Sequence, residues 1–165
     1  MSPFPSSRPA VAVLGADVAD RATWHLPSVA ASARSARRQV VAQLDGWGLS
    51  QVADDATLIV SELVTKAVCH GSGPVWHTVR HIPDGAADVV RLEVGDHGLG
   101  WAGVPEPRER GDGSSCGGRG LLLVEALSSR WGAWRLPHGF VVWAEVSVRS
   151  SVGSLDVHVE SQSRK

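Results

Sequence analysis

Glu62 and Lys66 stand four residues apart in the run Leu58-Ile59-Val60-Ser61-Glu62-Leu63-Val64-Thr65-Lys66-Ala67-Val68-Cys69-His70. On a helix that spacing projects the two side chains side by side. A carboxylate so placed is either a solvated surface charge or a general base that takes a proton from a hydroxyl. The ammonium one turn on is either its surface partner, worth about 0.3–0.5 kcal/mol, or a fixed cation facing an anionic ligand. Two further stretches have the residue types of a binding site. Asp96-His97-Gly98-Leu99-Gly100 sets one acceptor among glycines, which let a flat ring approach closely. Gly117-Gly118-Arg119-Gly120-Leu121 offers backbone N–H groups and a guanidinium. Glycines opening a helix turn N–H groups toward an anion, and the helix dipole and arginine add to the attraction. The same glycines also serve as a plain loop-to-helix turn.

The elements that must position these groups follow from periodicity. Val52, Ala56, Ile59, Leu63 and Ala67 recur at helical steps, and Val60, Val64 and Val68 widen the stripe. Ser50 is the expected cap, Asp54 and Asp55 suit the positive end of the dipole, and Gly71, Gly73 and Pro74 stop the helix. Its many β-branched residues leave packing, not propensity, to hold it. Asp88 to Asp96 reads as a strand with Val90, Leu92 and Val94 on one face and Arg91 and Glu93 on the other. Asp96 continues the apolar face, so the alternation aims a carboxylate at the core end of the sheet, where something must hydrogen-bond it. Residues 97–120 form a Gly/Pro/Ser-rich connection of the length used for lids and binding loops. A helix over Leu121–Leu127 follows it.

The rest of the chain supplies a sheet and a second helix. Residues 1–22 read as a flexible arm, with a short apolar run at Val11–Leu14. Thr23–Leu26 alternates as an edge strand stopped by Pro27. Ser28 is placed to cap a helix with Val29, Ala33, Ala36, Val40, Leu44 and Trp47 on its inner face; Arg34, Arg37 and Arg38 lie off that face as a solvated surface or an acidic-partner contact. Pro74–Ile82 is a strand with a turn at Pro83-Asp84-Gly85, and Trp131–Leu136 pairs with Phe140–Val148 across Pro137-His138-Gly139. Residues 149–165 form a polar tail, leaving 23–148 as one domain. The order of elements predicts an α+β two-layer sandwich, a mostly antiparallel sheet with helices on one face.

Bulk numbers narrow the function. The chain has 165 residues and a net charge of −1, which argues against a general nucleic-acid or membrane-surface binder. No apolar run approaches the roughly 20 residues of a membrane span, and Met1–Asp20 has no secretory pattern; the expected location is the cytoplasm. Cys69 and Cys116, the only cysteines, read as two reduced thiols. A metal site from Cys69, His70, His97 and Cys116 lacks any CxxC or HxxxH pair, so none is assigned. The seven tryptophans read as core packing.

Taken together, the three motifs resemble the N box and two glycine boxes of the Bergerat-fold ATPases. They look most like the bacterial anti-sigma-factor serine/threonine kinases and their actinobacterial relatives. The resemblance covers roughly residues 23–148 and includes Trp131-Gly132 and Val142–Glu145. It implies a Bergerat sandwich, ATP as ligand, Mg2+ as its companion, and an antagonist protein or a sigma factor as partner. It assigns Glu62 as base, Asp96 to the adenine amino group, and Gly98 and Gly100 to the pocket; Gly118, Arg119, Gly120 and Leu121 go to the phosphates. A homodimer stands as an expectation from relatives, although no exposed apolar stripe in the sequence demands one. One position departs from the pattern. Lys66 occupies the place where the family has the asparagine that binds magnesium. An ammonium has no lone pair to give a metal. Either Lys66 replaces the metal electrostatically and pairs with Glu62, leaving a nucleotide-binding regulator with impaired chemistry, or another oxygen completes the magnesium shell and the kinase survives.

Overall fold

The computed structural model describes residues 20–83, 87–100 and 119–148. Nine elements follow in order: β1 (Arg21–Leu26), α1 (Ser32–Gly46), a 3-10 turn (Ser50–Val52), α2 (Ala53–His70), β2 (Val75–Ile82), β3 (Asp88–Asp96), α3 (Arg119–Leu127), β4 (Arg130–Leu136) and β5 (Gly139–Val148). The five strands form one sheet in the order β1-β2-β3-β5-β4, and each neighbouring pair is antiparallel. The helices lie against one face of this sheet, the α+β arrangement that the sequence predicts.

The stripe on α2 explains why. Ala56, Ile59, Val60, Leu63 and Val64 are wholly buried, and Ala67 nearly so. They meet Ala36, Val40 and Leu44 of α1 and, from the sheet, Val75, Val79, Val90, Leu92, Val94, Val142 and Ala144. A side chain of this size contributes roughly 1.5–3 kcal/mol when fully buried, which outweighs the weak helix propensity of the valines.

Both expected helix caps are displaced. The residue before α2 is Val52 and the one before α1 is Ala31, neither with a side-chain cap. Ser50 instead starts the 3-10 turn and donates to Asp45 Oδ1 at 3.0 Å. Ser28 precedes α1 by four residues, and Ser32 Oγ donates to the Pro27 carbonyl at 2.6 Å. In each case a tight turn carries the chain into the helix. Val29 stands outside α1 and is exposed. Arg34 and Arg38 face solvent, whereas Arg37 reaches across to donate to Ser61 Oγ at 2.7 Å.

The sheet face away from the helices holds a half-buried layer that accounts for several tryptophans. Arg91 donates through Nε to Glu93 Oε1 at 2.9 Å and through NH1 to Glu145 Oε1 at 2.8 Å. Its guanidinium lies 4.0 Å from the ring centroid of Trp143 and 5.3 Å from that of Trp134, a cation–π arrangement. Glu93 and Glu145 are each only 8% exposed. Gly95 exists because the Trp76 ring lies on it, where any Cβ would overlap. The Asp84–Gly85 part of the predicted turn, the arm to residue 19, and the tail from 149 lie outside the described residues.

No helix among the described residues is long and apolar enough to cross a membrane. Cys69 corrects the expectation of two reduced thiols, because it is disulfide-bonded. It sits exposed in the last turn of α2, where a folded chain can bring up a cysteine distant in sequence. The one other cysteine, Cys116, lies outside the described residues.

Candidate functional site

The C-terminal end of α2, the exit of β3 and the start of α3 converge. Asp96 is the last residue of β3 and is 2% exposed, on the same face as Val90, Leu92 and Val94. Its Oδ1 accepts from the Gly98 N–H at 2.6 Å and from the Ser72 N–H at 3.3 Å. Its Oδ2 is buried and accepts no hydrogen bond. A buried polar atom without a partner costs about 1–3 kcal/mol, so this oxygen marks a place where a donor is wanted.

The surrounding backbone is built closely around that carboxyl group. The His97 N–H donates to the Ser72 carbonyl at 2.9 Å and ties the β3 exit to the segment after α2. Gly71 packs directly on Asp96; a Cβ there would overlap the carboxyl group and the Ala67 carbonyl. A Cβ on Gly98 would lie 2.8 Å from Asp96 Oδ1 and 3.1 Å from the Ser72 nitrogen. Gly100 has φ +104°, a conformation that glycine adopts without cost. Beside it, Arg135 NH1 donates to the Leu99 carbonyl.

A second cluster lies nearer the middle of α2. Gly120, in the first turn of α3, rests on Glu62 so closely that a Cβ would overlap Oε2. The same Cβ would stand 3.3 Å from Cε of Lys66, whose side chain is buried with the residue 5% exposed. Backbone N–H groups in a first helical turn have no partner within the helix, so a carboxylate, an ammonium and helix-start N–H groups share this corner. Leu121 is 4% exposed with its side chain in the core; its backbone N–H is what it can offer a ligand. Gly118 and the Arg119 side chain lie outside the described residues.

Residues 26–145 match the histidine kinase-like ATPase domain. The chain belongs to this ATPase-domain family. Among solved structures, that of the RsbU and RsbW domains of Rv1364c from Mycobacterium tuberculosis is similar in fold, with a TM-score of 0.55 and 23% identity. The likeness covers 78% of this chain and 33% of that one, so the present protein spans about a third of the length it matches. No protein of curated function matches the chain.

The ATPase-domain residues fit the family's nucleotide unevenly. At the Asp96 end the fit is good: an acceptor oxygen without a donor, set among glycines with no room for side chains. At the other end magnesium does not fit the residues present. The α2 turn facing α3 carries the Lys66 ammonium, which has no lone pair for a hard cation. Among the described residues no group of three His, Cys, Asp or Glu could hold a metal ion. The sequence singles out Asp96, Gly98, Glu62 and Lys66, which the fold places in these two clusters, but it marks Gly71 only as a helix stop and gives no mark to Ser72 or Arg135. The run Gly71-Ser72-Gly73 directly after α2 was the available signal for the first two. Arg135 had none, since only the pairing of β5 with both β4 and β3 brings it to Leu99.

Proposed function

We propose that this protein is an ATP-binding regulator of the anti-sigma-factor kinase type, with its nucleotide site in residues 23–148. It acts on a protein partner, either an antagonist or the sigma factor itself. The observation that carries the reading is Asp96, a buried carboxyl group with one oxygen held by backbone and the other without a donor, in a chain of this ATPase family. An adenine amino group is a donor of the right kind for that oxygen, and Gly71 and Gly98 leave room for a flat ring. From Gly71 back to Glu62 is nine residues of helix, about 13 Å at 1.5 Å per residue. An extended nucleoside triphosphate has that reach, which lays its phosphates toward Gly120, Lys66 and Glu62.

The test is calorimetric titration of ATP into the full chain and into Asp96→Asn. The variant keeps the Oδ1 acceptor and replaces the unpaired oxygen with an amide nitrogen, so it is expected to fold and to lose binding. Equal binding by both proteins would remove adenine from this pocket.

A second reading is favoured by Glu62, whose carboxylate lies beside Gly120. There it can accept the proton of a partner's serine hydroxyl while that oxygen bonds to the γ-phosphorus. The bond from γ-phosphorus to the β–γ bridging oxygen breaks, and ADP leaves. Transfer of labelled phosphate from ATP to an antagonist, present in the native chain and lost in Glu62→Gln, supports a kinase. Transfer that appears only in Lys66→Asn makes the native protein a binding regulator.

A further inference from the structure

We infer that Lys66 is the resident counter-cation of the nucleotide site, so that this protein binds nucleoside di- and triphosphates without a divalent metal ion. The inference rests on the nucleotide reading above and concerns which charge holds the phosphates.

Three observations carry it. First, Lys66 is not a surface lysine. It is 5% exposed on α2, one turn after Glu62 and five residues before Gly71. Lysine is almost never this buried unless it is paired, because a desolvated ammonium is costly. Lys66 already has an interaction partner within the folded chain, and phosphate oxygens would add to it.

Second, its stem is packed by α3. The α3 first turn closes over its stem at Gly120, whose Cβ position lies 3.3 Å from Cε. The Lys66 stem is thus held against the α3 turn at Gly120, and N–H groups at a helix start, with the helix dipole, favour anions. A compact cation and a helix start are two of the usual parts of a phosphate site.

Third, the charge balance of the corner is altered relative to a metal-using site. The Glu62 carboxylate lies against the same Gly120. A divalent cation entering here would meet the Lys66 ammonium in a half-buried region, where like charges repel more strongly than in water. The residue that provides attraction for phosphate thus opposes the metal. A site of this kind binds its nucleotide with lower cost when the nucleotide arrives metal-free.

The experiment is ATP and ADP titration of the full chain in excess magnesium and in EDTA, by calorimetry, with Lys66→Asn and Lys66→Met alongside. Met preserves the buried stem and removes the charge. Thermal melting of each variant shows that it is folded. The native protein is expected to bind in EDTA with a Kd within about twofold of that in magnesium. Lys66→Met is expected to lose about tenfold or more in both buffers, the scale of one charge-assisted contact. Lys66→Asn is expected to lose binding in EDTA and recover it with magnesium. Native binding that requires magnesium, or binding unchanged in a folded Lys66→Met, overturns the inference while leaving the nucleotide site standing. No native binding in either buffer overturns the nucleotide reading itself, and the inference with it.

Discussion

His77 makes the fold sensitive to acid. It is fully buried on β2, stacked on Trp24 with ring centroids 4.8 Å apart. Its Nε2 donates to Gln39 Oε1 on α1 at 2.8 Å, which leaves Nδ1 as a buried atom with no partner. Protonation would place a charged N–H in the core with nothing to accept it. Burial accordingly lowers the His77 pKa from 6.5 to about 4. The sign follows from which state binds protons more readily. Between pH 6.5 and about 4 the unfolded chain is protonated at this position and the native chain is not, so stability falls as pH drops through that window. At about 1.4 kcal/mol per pH unit, the whole window is worth roughly 3 kcal/mol. The Trp24 ring would return on the order of 1 kcal/mol to the cation, so the expected loss is about 2–3 kcal/mol. The assay is urea unfolding of the native protein and His77→Gln at several pH values from 7.5 to 4. Glutamine keeps a donor and cannot titrate, and taking the difference between the two proteins cancels every other carboxylate and histidine. The native protein should lose its advantage over the variant by about 2–3 kcal/mol on acidification, all of it below pH 6.5. A difference that stays constant with pH would refute the reasoning.

Other perturbations read other parts of the molecule. Gly71→Ala should weaken ATP binding and cost about 1–3 kcal/mol by the overlap of its Cβ with Asp96 and the Ala67 carbonyl; an unchanged melting temperature would count against that packing. Arg91→Met should cost roughly 3 kcal/mol in urea unfolding, because it strands the Glu93 and Glu145 carboxylates. Arg130, 3.6 Å from Glu145, keeps the loss at the lower end, and adding Glu93→Gln with Glu145→Gln should recover most of it; a loss under about 1 kcal/mol would show the layer to be solvated. Arg37→Ala should cost about 1 kcal/mol through its bond to Ser61, against under about 0.5 kcal/mol for the exposed Arg34→Ala; equal values would make Arg37 one more solvated charge.

The sequence determined what repeats locally. The stripe on α2 and the alternation on β3 are short-range patterns of apolar residues, and burial drives each of them to one side wherever the chain folds. They were enough to place Asp96 on the core face at the end of β3 and Glu62 beside Lys66 one turn apart, as observed. The order of helices and strands likewise limits the layers available. Tertiary structure decided what depends on residues distant in sequence. Cap geometry moved from Ser28 and Ser50 into turns, because the tight turns at Pro27–Ser32 and Ser50–Val52 carry the chain into the helices without a side-chain cap. The role of Gly71 appears only when β3 brings Asp96 onto it, and the burial of Lys66 only when α3 closes over it at Gly120. The alternation puts Arg91 only on the face opposite Val90, Leu92 and Val94; β5 sets Glu145 and Trp143 beside it there. A residue's type and its local period say which way it points; what it meets there is fixed by elements that pack against it from elsewhere in the chain.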